Sequence, residues 1–459
     1  MFIGREKELQ QLQQLYQTGG FQLAVLYGRR KVGKTALINE FCRRNSAIRF
    51  SALETSSIQN LNCLRQVLSK YLQKAELPAL PTLTAALEYL FELSCSRHFI
   101  LSIDNYPFLA KTDRQFGHTL AELIQKYEGH AKMLLLLTGT SGTVMDQQFF
   151  QARAPFCQKA SLTIHLKPFD FFECRKFFRG FSSVDLAKIY GIVGGVPQYL
   201  LMMNDRISVQ ENIKALFLNA SSPLFEEPSI ILRQEVREPS LYNAIISAIA
   251  NGADKLSSIA SFVCEETSVC ATYLKTLLAM QIVRKESPVT DPSIKKTVYR
   301  IDDPLFRFWY RFLPECMNEI CQGQTDAAYR IIEPQLSGYM ADVFEEICRQ
   351  YMRQLSLQKK LPAPVTELGC WWGVDPFSKE PLRIDILAAT QEQDTALFGS
   401  CFWNNPQVTD RELRKLITLS ELFPQQCKHY YLFAKSGFSR ACYDLANELQ
   451  TVTLVNFSK

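Results

Sequence analysis

One run of residues has the types and spacing that phosphate binding requires. Residues 28–35 fit the pattern GxxxxGK[ST] in full, and they are Gly28, Arg29, Arg30, Lys31, Val32, Gly33, Lys34 and Thr35. Glycines let the backbone curl so that its N–H groups face phosphate oxygens, and the N-terminus of a following helix adds a favourable dipole. Lys34 can neutralise the β- and γ-phosphates while the Thr35 hydroxyl ligates Mg²⁺. The run therefore predicts a binding loop for ATP and Mg²⁺.

The sequence on either side gives this run the context that a phosphate loop needs. A largely apolar stretch at residues 21–27 predicts a buried strand before the loop, and residues 36–43 predict a helix after it. A chance match would be an ordinary glycine-containing turn. A strand and a helix in the required places favour the phosphate loop.

A second acid is needed to hold the metal, and Asp104 supplies one at the end of the apolar run 99–103. We interpret Asp104 as the Walker B aspartate, although an Asp that merely starts a turn before Asn105 and Pro107 would look the same. In enzymes that hydrolyse ATP quickly the next residue is typically a glutamate that polarises the attacking water. Asn105 stands there, and an amide can orient water without acting as a base. We therefore predict ATP binding with slow turnover.

Several short segments together resemble the archaeal-type ATPases of the AAA+/STAND branch. They are residues 2–6 (FIGRE), the loop at 28–35, Asp104, residues 138–141 (TGTS) and residues 194–197 (GGVP). The resemblance implies that Gly4 and Arg5 lie near the adenine, that Thr140 senses the γ-phosphate and that Pro197 touches the base. On sequence grounds alone the same residues also fit a helix start, a strand-end turn and a helix stop.

One departure from that family falls at residues 158–159. Relatives usually carry a Gly-Arg pair where Gln158 and Lys159 stand. The planar fork of arginine stabilises the charge of a transferring phosphoryl group in a way that the point charge of lysine does not. The resemblance and its departures thus imply a nucleotide-dependent switch with weak hydrolysis. The alternative is a non-hydrolysing module that keeps ATP as a structural ligand.

The elements that must position these residues form an α/β architecture. Apolar runs at 21–27, 48–53, 99–103, 133–137 and 162–166, separated by amphipathic stretches, predict a parallel sheet covered by helices on both faces. We predict a P-loop core at residues 1–165, a helical lid at 166–235, a winged helix at 236–315, a linker at 316–335 and an α/β domain at 336–459. The segment 299–309 also matches the stretch that follows the winged helix in the ATPase family.

The predicted winged helix leaves the question of DNA open. Residues 268–280 would be its recognition helix, but they carry one basic residue, Lys275. The wing is more basic, and it carries Arg284, Lys285, Lys295, Lys296 and Arg300. Phosphate contacts need such basicity, so the wing is a better candidate for contacting DNA than the recognition helix. The sequence supports equally well a winged helix that only packs against other parts of the protein.

The last third of the chain resembles the nuclease-like domain of the PD-(D/E)xK restriction-endonuclease type that often follows this ATPase. The matching pieces are residues 344–348, 368–372, 383–387 and 398–403. Relatives carry Gly-Glu-Cys-Lys-Trp where this chain has Gly399, Ser400, Cys401, Phe402 and Trp403. Asp385 and Glu345 remain as metal-ligand candidates, but a third acid and a lysine are missing, and such a site needs both. We therefore predict no nuclease activity, with DNA or a protein as the partners left open.

The amino-acid composition limits the classes of protein to which the chain can belong. The 459 residues, 47% hydrophobic and 21% charged, are those of an ordinary globular protein of several domains. A net charge of +5 is small for this length and does not by itself point to nucleic acid. Fourteen cysteines without a CxxC pair, the absence of a signal-like start and short apolar runs favour a reduced cytoplasm, with no membrane span and no zinc site.

Overall fold

The computed structural model describes residues 2–74, 76–140, 142–290, 296–375, 378–392, 394–404 and 406–458. The chain divides into two compact units. The first contains Met1–Pro168 and Val196–Gln198, and the second contains Phe169–Gly195 and Tyr199–Lys459. Within the described ranges no helix has the length and apolarity that would take it across a membrane.

The first unit is built on a five-stranded sheet in which every pair of neighbours is parallel. Its strands are β1 (Gln22–Gly28), β2 (Ala47–Ser51), β3 (Phe99–Asp104), β4 (Met133–Thr140) and β5 (Leu162–His165). Their order in the sheet is β2-β3-β4-β1-β5. The five strands predicted from the apolar runs are confirmed, with bounds shifted by a few residues at their ends.

Helices cover both faces of this sheet. They are α1 (Glu6–Gln17), α2 (Lys34–Arg43), α3 (Ser57–Leu72), α4 (Leu83–Ser96), α5 (Tyr106–Thr112), α6 (Phe116–Tyr127) and α7 (Thr143–Met145), the last followed by a π-helical turn at Asp146–Phe150. Alternate residues of β1 enter different cores: Ala24 and Leu26 pack with α1 and α2, whereas Leu23 and Val25 pack with α3, α4 and α6. A strand buried on both faces needs apolar residues at every position, as the sequence pattern indicated.

The second unit begins with five helices, where the sequence predicted a helical lid. They are α8 (Phe171–Cys174), α9 (Ser183–Val193), α10 (Pro197–Leu200), whose first two residues belong to the first unit, α11 (Val209–Leu216) and α12 (Pro223–Glu235). The amphipathic stretch at residues 169–179, within the predicted lid, does not form a single helix. It forms only α8, which Asp170 and Glu173 cap reciprocally, and a 3₁₀ turn at Arg175–Phe177.

Three further helices and a hairpin follow in the predicted order. They are α13 (Pro239–Ala250), α14 (Leu256–Val263), α15 (Thr267–Ala279), β6 (Val283–Glu286) and β7 (Val298–Ile301). The two strands are antiparallel, and they share one apolar core with the three helices. This architecture has the layout of a winged helix, and that identity stays a prediction. Helix α16 (Pro304–Phe312) contributes Phe306 and Tyr310 to the same core.

The residues predicted as a linker are mostly helical. Helix α17 spans Met317–Cys321, and the long helix α18 spans Thr325–Leu357, so it begins inside the predicted linker. Pro334 lies inside α18, where proline removes one backbone hydrogen bond and crowds the preceding turn, at a cost of about 3 kcal/mol. Tyr329 and Ile332 are buried before the proline, and Met340 is buried after it, so packing carries the helix through.

A five-stranded mixed sheet completes the second unit. Its elements are β8 (Val365–Val374), β9 (Pro381–Thr390), β10 (Thr395–Phe402), α19 (Asp410–Ser420), β11 (Cys427–Ala434), α20 (Arg440–Leu449) and β12 (Val452–Asn456). The order is β12-β11-β10-β9-β8, with β8, β9 and β10 antiparallel and β10, β11 and β12 parallel. The predicted second α/β domain is present. Strands β8 and β12 and helix α20 were not predicted.

Candidate nucleotide site

The loop between β1 and α2 has the tight curl that phosphate binding requires. Strand β1 ends at Gly28, where a Cβ atom would lie 2.3 Å from the carbonyl oxygen of Leu166, so only glycine fits. Gly33 caps α2 with φ 97°, and Lys31 also lies in the left-handed region with φ 66°. Two left-handed residues turn the chain back on itself, which lets successive amides point inward.

Lys34 begins α2 and is held against the loop that precedes it. Its Nζ donates to the carbonyl oxygens of Gly28 and Arg29, both at 2.8 Å, and the residue is buried. Val32 is fully buried in the core under α2. The ammonium group is therefore positioned at the mouth of the loop, and Arg29, Arg30 and Lys31 make the rest of the loop basic.

Asp104 is the point at which three elements of this unit meet. Thr35, in the first turn of α2, donates its hydroxyl to Oδ2 of Asp104 at 2.7 Å. Thr138, in β4, donates to Oδ1 of the same carboxylate, and the backbone N–H of Asn105 also donates to Oδ1 at 3.0 Å. Thr138 belongs to the 138–141 motif, but no role was predicted for it from the sequence. Its position on the strand that parallel pairing places between β1 and β3 would have been the signal.

Thr35 and Asp104 fit a magnesium ion by their chemistry. They offer a hydroxyl oxygen and a carboxylate oxygen, which are the hard ligands that Mg²⁺ takes, and these two atoms already lie 2.7 Å apart. In the described part of the chain there is no group of three or more His, Cys, Asp or Glu side chains that could hold a metal. A site with so few protein ligands suits Mg²⁺ because that ion keeps waters and binds substrate phosphates.

Asn105 occupies the left-handed region with φ 57° and precedes α5. Asparagine and aspartate tolerate this conformation better than longer side chains, so the local backbone gives a structural reason for Asn at this position. Thr140 ends β4 directly opposite Gly28 of β1, and it shares a strand face with Thr138 two residues earlier. The structure thus brings Thr140 to the edge of the loop. Ser141, from the same motif, lies outside the described residues.

Arg5 links the N-terminal segment to the phosphate loop. It follows Gly4, both residues have positive φ, and Arg5 is only 6% exposed. Its guanidinium donates to the carbonyl oxygen of Lys167 at 2.6 Å and to that of Val32 at 3.4 Å. The guanidinium therefore supports the loop through its backbone.

Pro197 is close to the phosphate loop, and its contact with the base stays a prediction. Its Cγ atom lies 3.7 Å from the place where a Cβ atom on Gly33 would be.

The backbone conformation at residues 158–159 bears on the departure from the family pattern found there. Gln158 has φ 58°, a conformation that glycine adopts without strain, and Lys159 is exposed. Gln158 thus occupies a backbone position that suits glycine.

The candidate nuclease residues lie together in the second unit, but arginines surround them. Glu345 of α18 is bonded to Arg383 and lies 3.6 Å from Arg349, while Asp385 accepts from the backbone N–H of Cys401 at 2.9 Å. Burial and the neighbouring Asp385 carboxylate raise the pKa of Glu345 to about 7, against the lowering effect of the two guanidinium groups. Burial also raises the pKa of Asp385.

Several of the basic residues predicted for the wing are engaged within the protein. Arg284 pairs with Asp302 at 2.9 Å, and Arg300 pairs with Glu286 at 2.9 Å. Lys285 lies over the ring of Tyr299 with its Nζ 5.6 Å from the ring centre. Lys295 lies outside the described residues. The ion pairs neutralise two of the charges on which the DNA prediction depended.

The fold and the loop together define the class of protein to which the first unit belongs, namely α/β domains that carry a phosphate loop after the first strand of a parallel sheet. The first unit is a three-layer α/β domain with a phosphate loop, in which β4 separates the strand that leads into the loop from the strand that ends in Asp104.

Comparison with known proteins narrows this class. Residues 2–203 match the family described as an ATPase domain predominantly from Archaea, and residues 309–416 match one described as archaeal and bacterial proteins of unknown function. An uncharacterised protein of Methanocaldococcus jannaschii is 25% identical over 418 residues, 91% of this chain and 90% of that protein. An uncharacterised ATP-binding protein of the same organism is 41% identical over 51 residues, 11% of this chain and 86% of that protein.

A solved structure agrees in fold. The Walker-type ATPase of Pyrococcus abyssi superposes with a TM-score of 0.52 at 18% identity, covering 68% of this chain and 96% of that one. This likeness shows the fold alone. The family match over residues 2–203 makes the first unit similar to archaeal ATPase domains.

Proposed function

We propose that this protein is an ATP-binding regulatory ATPase in which the bound nucleotide acts as a switch and hydrolysis is slow. The observation that carries the proposal is the 2.7 Å bond between the Thr35 hydroxyl and the Asp104 carboxylate. It joins the helix after the phosphate loop to the end of β3. A change at the γ-phosphate or its metal would therefore act on two elements at once.

Thr35 and Asp104 would hold Mg²⁺, and the ion would neutralise charge on the β- and γ-phosphates. Lys34 would exchange its bonds to loop carbonyls for phosphate oxygens, and the amides of residues 28–35 would surround the phosphates. Gly4, Arg5 and Pro197 would border the base. Thr140 would read the γ-phosphate because it lies opposite Gly28 at the strand edge.

Slow hydrolysis is supported by two side chains. Asn105 follows Asp104 and has no carboxylate with which to accept a proton from water. Lys159 offers a point charge where related ATPases carry an arginine, whose planar fork binds phosphoryl oxygens in two places. Both differences weaken catalysis of phosphoryl transfer without removing nucleotide binding.

Calorimetric titration with Mg-ATP and Mg-ADP, coupled to a phosphate-release assay, tests the proposal on wild type, Lys34→Ala and Asn105→Asp. Aspartate suits the left-handed backbone at position 105 better than glutamate, so Asn105→Asp adds a base with little strain. We expect tight binding by wild type, loss of binding in Lys34→Ala and faster phosphate release in Asn105→Asp. Fast turnover by wild type that Asn105→Asp does not increase would contradict slow hydrolysis, and absence of binding would contradict the whole proposal.

We further propose that the C-terminal domain has a nuclease-like fold without nuclease activity. Arg383 and Arg349 stand beside Glu345 where a metal ion would have to be, and Asp385 is bonded to backbone. Two carboxylates held in this way, with Ser400 and Phe402 in place of an acid and a lysine, lack the means to activate water. Mg²⁺-dependent DNA cleavage by the full chain that disappears in Asp385→Ala would overturn this.

A second function is a binding module in which ATP is a structural ligand and the second unit recognises DNA or a protein. Limited proteolysis with ATP and with ADP separates the two functions, because a switch changes its cleavage pattern between the nucleotides and a structural ligand does not. Gel shifts of the full chain at several salt concentrations test DNA directly, since phosphate contacts weaken as salt rises.

A further inference from the structure

The second unit contains a cavity of about 520 Å³ bounded by the β6–β7 hairpin, helices α16 and α18 and strand β9. Clefts that hold small organic ligands commonly have volumes of about 300–1,000 Å³. Six arginines line it, namely Arg284, Arg300, Arg307, Arg311, Arg349 and Arg383. None of them belongs to the nucleotide site in the first unit, so the cavity needs an explanation of its own.

Four of these arginines are neutralised by carboxylates of the same region. The pairs are Arg284 with Asp302, Arg300 with Glu286, Arg349 with Glu346 and Arg383 with Glu345. Such pairs fix side chains in place and leave little charge for a ligand. This end of the cavity is therefore structural.

Arg307 and Arg311 differ from the other four. They lie one turn apart on α16 and so project from the same side of the helix. Across the described ranges, no Asp or Glu oxygen comes within 4.0 Å of the guanidinium of Arg307, which instead lies 5.4 Å from the ring centre of Tyr339. Arg311 donates to Gln335 at 2.6 Å, and its carboxylate neighbour, Glu315, is 3.6 Å away and half exposed.

Neutral groups hold the fork of Arg307, and Arg311 has the half-exposed Glu315 as its one carboxylate neighbour among the described residues, so the two guanidinium charges are only partly balanced. Two like charges at this spacing on one helix face repel each other, which costs stability unless something negative lies between them. A bound anion would relieve that repulsion. The planar fork of arginine matches phosphate and carboxylate oxygens in a two-point geometry.

Gly338 supplies an independent observation. It lies in the interior of α18, where glycine weakens a helix relative to alanine, and it lines the cavity next to Tyr339. A Cβ atom at this position would meet nothing within 4 Å. Packing thus gives no reason for glycine among the described residues. Glycine at this position adds no side chain to the lining of the cavity.

We propose that this cavity binds a small phosphate ester of about mononucleotide size, with its phosphate on the forks of Arg307 and Arg311. The carboxylates of Asp254 and Asp342 also line the cavity. They would repel a run of phosphates such as a nucleic-acid strand and would accept hydrogen bonds from the N–H or O–H groups of a polar body. A single phosphate carried by a polar, uncharged body satisfies both sets of groups.

Calorimetry on the full chain carrying Lys34→Ala tests this without interference from the phosphate loop. The probes are adenosine 5′-monophosphate, ribose 5-phosphate and inorganic phosphate. We expect at least one ester to bind more tightly than inorganic phosphate. We expect Arg307→Gln, Arg311→Gln and Gly338→Leu each to weaken that binding at least tenfold, whereas Arg330→Gln, an exposed arginine on α18, leaves it unchanged.

Thermal melting checks that each variant is folded. Absence of binding by all three probes would overturn the proposal, and so would equal affinity in wild type and in the folded Gly338→Leu variant. Competition by an oligonucleotide whose affinity falls steeply with salt would also overturn the proposal, because it would show that the cavity binds nucleic acid rather than a small ester.

Discussion

The Thr35 hydroxyl donates to Oδ2 of Asp104 at 2.7 Å, and this bond connects the first turn of α2 to the end of β3 across the intervening strand β4. Strand β4 contributes a second bond to the same carboxylate, from Thr138. The Asp104 side chain is thus fixed on both of its oxygens. A metal that binds here meets ligands that are already oriented, which lowers the entropy cost of assembling the site.

Replacing Asp104 by Asn tests the metal role directly. The amide keeps the shape of the side chain and removes its charge, so we expect the Mg²⁺-dependent part of ATP affinity to fall at least tenfold. Titrations with and without EDTA measure that part. Thr138→Val is the matched control, because it removes one bond to the carboxylate and leaves the charge. Equal Mg²⁺ dependence in wild type and Asp104→Asn would exclude Asp104 as a metal ligand.

Gly28→Ala should destabilise the first unit by about 2 kcal/mol or more, since its Cβ would lie 2.3 Å from the Leu166 carbonyl oxygen and backbone must move to admit it. Gly129→Ala is the control, because no atom lies within 4 Å of that position. Thermal unfolding with and without ATP measures both variants. An unchanged melting temperature in Gly28→Ala would mean that the loop is not packed on the strand end as described.

Arg5→Met should lower stability by about 2 kcal/mol, because two carbonyl oxygens, of Lys167 and Val32, lose a charged donor. ATP affinity should fall with it, since Val32 belongs to the phosphate loop. Arg5→Lys keeps the charge but not the fork, and we expect it to restore little. A variant that binds ATP as wild type does would show that the loop holds its shape without Arg5.

The raised pKa of Glu345 predicts that the stability of the folded protein depends on pH. Its pKa is raised from 4.5 to about 7, so between these values the folded protein holds a proton that the unfolded chain releases. The free energy of unfolding therefore falls as pH rises from about 5 to 8, by an amount on the order of 2 kcal/mol from this group. Glu345→Gln should remove that part of the dependence.

Urea unfolding followed by tryptophan fluorescence measures this dependence, since three of the four tryptophans, Trp371, Trp372 and Trp403, lie in the C-terminal domain. The neighbouring Glu346 acts in the opposite sense and outside this window, because charges of nearby arginines hold its pKa at about 2. Parallel pH profiles for wild type and Glu345→Gln would contradict the assignment.

Strands were predicted correctly where burial on both faces alone determined the types of residue. Strands β1, β3 and β4 are buried on both faces, so each is a largely apolar run that can be read directly from the sequence. Strand β8 and strand β12 were missed because they are only partly buried and carry mixed residues. Residues 316–335 were predicted as a linker because they contain polar residues and Pro334, but the burial of Ile332 stabilises a helix there.

The sequence by itself determined the phosphate loop, because its glycines, lysine and threonine lie within eight consecutive residues and act through their own backbone. It also supplied Asp104 and the apolar strands that carry the loop. Only the tertiary structure decided that Thr138 shares the Asp104 carboxylate, that Arg383 stands beside Glu345, and that six arginines from distant parts of the chain surround one cavity. Contacts between residues far apart in sequence depend on how strands and helices pack, and no local pattern records that.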